Sequence, residues 1–169
     1  MTEPIQPAAS GTSQWGPLAS FGDRAVAWLI DWAVFLVGGV ALAIVGAILG
    51  VVSDALGSLV TGLGGLALAA LVIYVYFLQG EEGGTPGKRV AGLKVVRLND
   101  GQVTGGGMGI VRQLAHVIDG AICYIGYLFP LWDPQRQTIA DKLVGTVVLR
   151  DQRKEAFGPE LFQLPKKTV

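Results

Sequence analysis

The order of apolar and polar positions divides the chain into three apolar stretches set between polar ones. The first runs over residues 28 to 52, "WLIDWAVFLVGGVALAIVGAILGVV", and at about 1.5 Å per residue it exceeds a hydrocarbon core of about 30 Å. A link "SDALGSLVTGLGG" leads to a second span over roughly residues 60 to 79, which ends near Tyr74 and Tyr76. Trp28 and Trp32 suit the headgroup belt that favours amphipathic rings. Gly46 and Gly50 sit in a G-x-x-x-G spacing that lets helices approach closely. The third stretch, residues 109 to 132, is interrupted by Gly120, Gly126 and Pro130.

Between the second and third stretches the pattern changes period. "LKVVRL", then "NDG", then "QVT" predicts a β-hairpin within residues 88 to 104, because Asn-Asp-Gly supplies the turn that joins two alternating runs. "VGTVVLR", residues 144 to 150, is a further β-branched run and is expected to add a third strand, since an isolated hairpin is marginal. The expected architecture is a membrane all-α bundle. It has two full transmembrane helices, a third helical segment that re-enters or crosses, and a small cytoplasmic β-hairpin or three-stranded element. Residues 1 to 20, rich in Pro, Ser, Gln and Gly, read as a disordered cytoplasmic tail, residues 21 to 150 as the membrane domain, and residues 151 to 169 as a polar cytoplasmic tail. The opening residues lack the basic stretch and apolar core of a signal peptide, so the first span is expected to stay uncleaved.

Composition agrees with this reading. Of 169 residues, 51% are hydrophobic and 15% charged, against about 25% charged in soluble domains. The net charge is zero, so its placement carries the information. Lys88, Arg89, Lys94, Arg97 and Arg112 follow the second span, while the first link holds no Lys or Arg. The positive-inside rule therefore places the N-terminus and the β element in the cytoplasm, with the first link outside, in a multi-pass membrane protein. Arg136, Lys142, Arg150 and Arg153 ask for a cytoplasmic C-terminus as well. Re-entry of the third stretch satisfies that, while a single crossing does not.

Two octets repeat one pattern. "RAVAWLID" (Arg24 to Asp31) and "RQLAHVID" (Arg112 to Asp119) share R-x-x-A-x-x-I-D at the start of an apolar stretch. A spacing of seven puts Arg and Asp on one helix face, about 10 Å apart along the axis. An aspartate inside a span costs about 2.5 to 3.5 kcal/mol on insertion scales, so a compensating partner is expected. If both segments enter from one side, Asp31 and Asp119 share a depth and can share a proton or a monovalent cation. Otherwise each pairs with an arginine and fixes helix packing. Asp141, in "RQTIADKLVGTVVL", reads as an interfacial carboxylate or helix cap, and His116, on one face with Arg112 and Asp119, reads as a plain interfacial histidine, with a pH-sensitive role as the alternative.

Arg24, Asp31, "GGTPGKRVAGLKVV" and "RQTIADKLVGTVV" together resemble the RDD family of small bacterial membrane proteins, named for one arginine and two aspartates. The resemblance assigns Arg24 and Asp31 to that set and leaves Asp119 and Asp141 as alternatives for the second aspartate. Cation/proton antiport is suggested for some members, and the resemblance implies that activity only as one candidate.

Other chemistry finds little footing. "GGTPGKR" departs from a phosphate-binding loop, with Arg89 at the Ser/Thr place. His116 is the single histidine and Cys123 the single cysteine, which leaves no multi-His or thiolate metal site and no intrachain disulfide. No cofactor, nucleic acid or enzymatic activity is expected. The expected partners are the lipid bilayer and a second copy or another membrane protein. Two functions remain in view: a cation/proton transport unit, or a non-transporting scaffold whose β element binds a partner.

Overall fold

The computed structural model describes residues 11–164. Helix α1 (Phe21–Val52) begins at a capping box in which Ser20 accepts from the Asp23 amide and the Asp23 carboxylate accepts from the Ser20 amide. Ser53 both ends α1 and caps α2 (Asp54–Glu82), so one residue separates the two helices. The link expected over residues 53 to 65 is helical instead, since Ser53 supplies the cap and its glycines lie within a helix packed against α1. Both helices are long and apolar enough to cross a membrane. They pack along their length, and the backbone of Gly57 lies against Gly46 and Gly50, so the G-x-x-x-G spacing serves this intrachain hairpin.

A small polar cap follows at the Glu82 end. Thr85 caps α3 (Pro86–Val90), where the sequence pattern suggested the approach to a strand. Nearer the N-terminus, β1 (Thr12–Ser13) and β2 (Gly16–Pro17) form an antiparallel pair of two-residue strands. β3 (Lys94–Arg97) pairs antiparallel with β4 (Thr146–Leu149), not with residues 102 to 104. The Asn-Asp-Gly turn does form, closed by Gly101 N–H donating to the Arg97 carbonyl and by the Arg97 guanidinium on Asp100. The chain beyond it is pulled to the end of α2, where the Gly105 amide donates to the Gly80 carbonyl and the Gly106 amide to Glu81. Among the described residues its contact with β3 ends at Gln102, whose carbonyl accepts from the Arg97 amide at 2.8 Å, and no ladder follows. A third extended contact comes from Leu18, which bridges to Leu149 on the free edge of β4.

Both expected tails need correction where the structure describes them. Leu18 and Ala19 are fully buried against the two strands, and the Trp15 indole donates to the Leu98 carbonyl. Apolar residues next to a strand edge are ordered by burial despite their Pro- and Gly-rich surroundings. Residues 1 to 10 and 165 to 169 lie outside the described residues. The segment after β4 runs back over α3: Glu155 takes a paired hydrogen bond from Arg89 at 2.6 and 2.8 Å, Leu161 is buried, and Tyr74 donates to the Phe162 carbonyl.

The third apolar stretch is broken. Helix α4 (Gly106–Ala121) turns through 107° into α5 (Ile125–Leu128) and a 3-10 turn (Phe129–Leu131). Cys123 and Tyr124, at φ 56° and 62°, make the break. Helix α6 (Ile139–Val144), opened by a Thr138–Asp141 capping box, leads into β4. The amphipathicity of α4 is inverted relative to a soluble helix. Gly109, Arg112, His116 and Asp119 face inward, while Val111, Leu114 and Val117 face out.

Candidate functional site: a buried arginine–aspartate set

Asp141 is the centre of the set. As the third residue of α6 it is fully buried, where its side chain returns to the Thr138 amide at 3.2 Å. Arg24 reaches Asp141 Oδ2 from the first turn of α1 at 2.6 Å and donates also to the Arg136 carbonyl at 2.6 Å. From α4, Arg112 holds Oδ1 through Nε at 2.9 Å and Nη2 at 2.5 Å, and the Thr146 hydroxyl donates to the same oxygen. Burial opposes ionisation of Asp141, yet Arg112 and Arg24 outweigh it and hold the carboxyl well below the usual carboxylate range.

Asp31 and Asp119 do different work. Asp31 accepts from the Thr85 hydroxyl at 2.5 Å and the Gly87 amide at 2.7 Å, which fixes the start of α3 against α1. Asp119 accepts from the Ile139 and Ala140 amides at the start of α6 and meets His116 Nδ1 at 2.6 Å. The His116 ring stacks on Tyr127, with centroids 5.3 Å apart. Among the described residues no hydrogen bond joins Asp31 to Asp119, and neither takes one from an arginine; each sits at its own helix start. The expectation of a shared proton between them gives way for that reason: backbone donors supply the compensation instead.

The structure thus joins Arg24, Arg112 and Asp141 directly and joins His116 to Asp119, while Asp31 stands apart on α1, bound to the start of α3. Sequence reasoning missed several partners. Lys88, read only as an orientation signal, donates to Gln79 at 2.8 Å. Burial, reinforced by nearby Arg112, lowers the Lys88 ammonium to about 8. Gln79 is itself buried. Thr85 and Thr138 were legible as caps, each standing three residues before the amide it accepts from. Gln79 gave no signal, since a lone amide near a span end has no periodic partner. Among the described residues no group of three His, Cys, Asp or Glu side chains is placed to hold a metal ion.

Comparison with known proteins places this set in context. The chain is 54% identical over 80 residues to "Proline-rich antigen homolog" of Mycobacterium tuberculosis, covering 47% of this chain and 33% of that protein. It is 51% identical over 84 residues to "Proline-rich antigen" of Mycobacterium leprae, covering 50% and 34%. The chain therefore spans about a third of the length of these relatives. No solved structure matches it. The pattern of the RDD family matches residues 18–145, which include Arg24, Arg112, Asp31, Asp119, Asp141 and strand β3, and the chain belongs to the RDD family.

Proposed function

We propose that this RDD protein is a non-enzymatic, multi-pass scaffold of the inner membrane with its N-terminus in the cytoplasm. In this reading the α1–α2 hairpin is the anchor. The α3, β3, α6 and β4 cap is the cytoplasmic face that engages another protein. The arginine–aspartate set locks the one onto the other. The observation that carries this reading is the saturation of Asp141, which accepts hydrogen bonds from Arg24, Arg112, Thr138 and Thr146 at once. A carboxylate held this way has no free position for a transported cation. Basic Lys88, Arg89, Lys94 and Arg97 on the cap support the cytoplasmic assignment. Asp141, as the carboxylate that Arg24 touches, is the better candidate for the family's second aspartate.

A second reading, exchange of H⁺ against a monovalent cation, draws on the buried His116–Asp119 contact inside α4. Asp31→Asn separates the two readings when membrane abundance and cation-dependent proton flux are measured together in vesicles. The scaffold reading expects no flux from the parent protein and a fall in abundance of the variant. Flux in the parent that disappears in a normally abundant variant overturns it.

A further inference from the structure

The chain contains one unit twice, and the second copy is too short to cross a membrane. In the first copy, Asp31 of the R-x-x-A-x-x-I-D octet meets the start of a short helix capped by Thr85. That helix is followed by Gly92 at φ 70° and strand β3. In the second, Asp119 meets the start of a short helix capped by Thr138, which is followed by Gly145 at φ 68° and strand β4. The strand register carries the symmetry. Val95 lies opposite Val148, its own counterpart, and the same exchange turns the Lys94–Leu149 pair into the Val96–Val147 pair. A local twofold axis therefore passes between Val95 and Val148. The counterpart residues Arg24 and Arg112 both end on the Asp141 carboxylate. Since the polar cap lies at one end of the α1–α2 hairpin, α1 and α4 run inward from the same side.

The copies differ in what lies between the octet and the capped helix. Thr85 stands 54 positions after Asp31, and Thr138 stands 19 positions after Asp119. The first interval goes out and back as two long helices. The second is a closed loop, because Asp119 itself bonds the Ile139 and Ala140 amides to which the chain returns. Nine or ten residues each way, even if fully helical, reach about 14 Å, less than half of a hydrocarbon core of about 30 Å. The loop is no deeper than that, for α4 runs only two residues beyond Asp119 before the 107° bend. Its outer surface is apolar all the same: Ile125, Leu131 and Trp132 are exposed, continuous with Leu114 and Val117 on α4, whose polar face is turned inward.

We infer that residues 106 to 132 form an in-plane anchor that enters and leaves the single leaflet next to the cap, its apolar face solvated by the lipids of that leaflet alone. The occupant is lipid because the face combines inverted amphipathicity with an exposed tryptophan and tyrosine, Trp132 and Tyr124, of the kind found at the headgroup boundary. The inference requires only that α1 and α2 cross the bilayer, and it holds under either reading of the charged set.

The test uses full-length protein with Cys123→Ser, reconstituted in phosphatidylglycerol/phosphatidylethanolamine vesicles. Nitroxide labels are placed at Leu114→Cys or Leu128→Cys, with Ile44→Cys in mid-α1 and Trp32→Cys as depth references. Collision with oxygen at positions 114 and 128 should match position 32 and be several-fold lower than at position 44. An impermeant maleimide should label Gln14→Cys and Arg153→Cys from one side and Asp54→Cys from the other. Labelling of positions 153 and 54 from the same side overturns the inference. So does oxygen contact at 114 or 128 equal to that at 44. Protection of 114 and 128 from both oxygen and water, with spin–spin broadening between copies, overturns it too, since a second copy would then cover the face.

Discussion

At the residue scale the stability of the cap rests on the match between Asp141 and two guanidinium groups. Removing one partner of a buried ion pair leaves an uncompensated charge, at a cost of about 3 to 5 kcal/mol. Asp141→Asn strips the charge from beneath both Arg24 and Arg112, and a loss of that order in thermal unfolding of the detergent-solubilised protein is expected. The pH dependence has a definite sign. Asp141 is held below its ordinary value of 3.8, so the unfolded chain takes up this proton first as pH falls. Its contribution is complete above about pH 4 and declines as pH drops below that, and the Asn variant should lack this part of the acid dependence. An acid profile unchanged by Asp141→Asn would show that the arginines do not bias this carboxyl. The sequence alone showed that Asp31 and Asp119 needed compensation, and it suggested arginine or a shared proton. Backbone amides answered instead, because helix starts brought next to an aspartate by the fold leave no trace in the spacing of charged residues.

At the scale of elements, α3 is the tightest joint between hairpin and cap. A Cβ on Gly87 would meet the Ala27 carbonyl and lie 2.8 Å from Asp31 Cγ, so only glycine lets α3 approach α1 closely enough for its amide to reach that carboxylate. Gly87→Ala is expected to lower stability by about 1 to 3 kcal/mol through overpacking. Gly65→Ala, where a Cβ meets nothing within 4 Å, should bring no loss. Equal melting temperatures for the two variants would refute the claim that close approach is what selects glycine at position 87. The two long helices were legible from length and apolar content alone, since a membrane imposes both. The hairpin was not. Its turn residues fold as expected, but the second run is tethered through Gly105 and Gly106 to the end of α2, and β4, distant in sequence, takes the place beside β3. Turn chemistry is local, whereas strand partnership is decided by where the rest of the chain must go.

On the scale of the whole molecule, the repeated octet was visible as a pattern, but its meaning needed the twofold relation between β3 and β4. That relation makes Arg24 and Arg112 equivalent donors from opposite halves, converging on a carboxylate that only the second half supplies; Lys88 occupies the corresponding place in the first. Coupling between the halves can be measured as a free energy. With Arg24→Ala alone, Asp141 keeps Arg112, and with Arg112→Ala alone it keeps Arg24, so each single variant leaves the carboxylate paired. The double variant leaves it buried with hydroxyl and amide donors but no cation. A double-mutant cycle on unfolding in detergent should therefore be more than additive, with an interaction energy of about 0.5 to 3 kcal/mol. Strict additivity would mean that the two arginines act on separate partners and that Asp141 does not join the halves. An interaction energy of the opposite sign would mean that repulsion between the two guanidinium groups outweighs their shared attraction to the carboxylate, and that each is better accommodated alone.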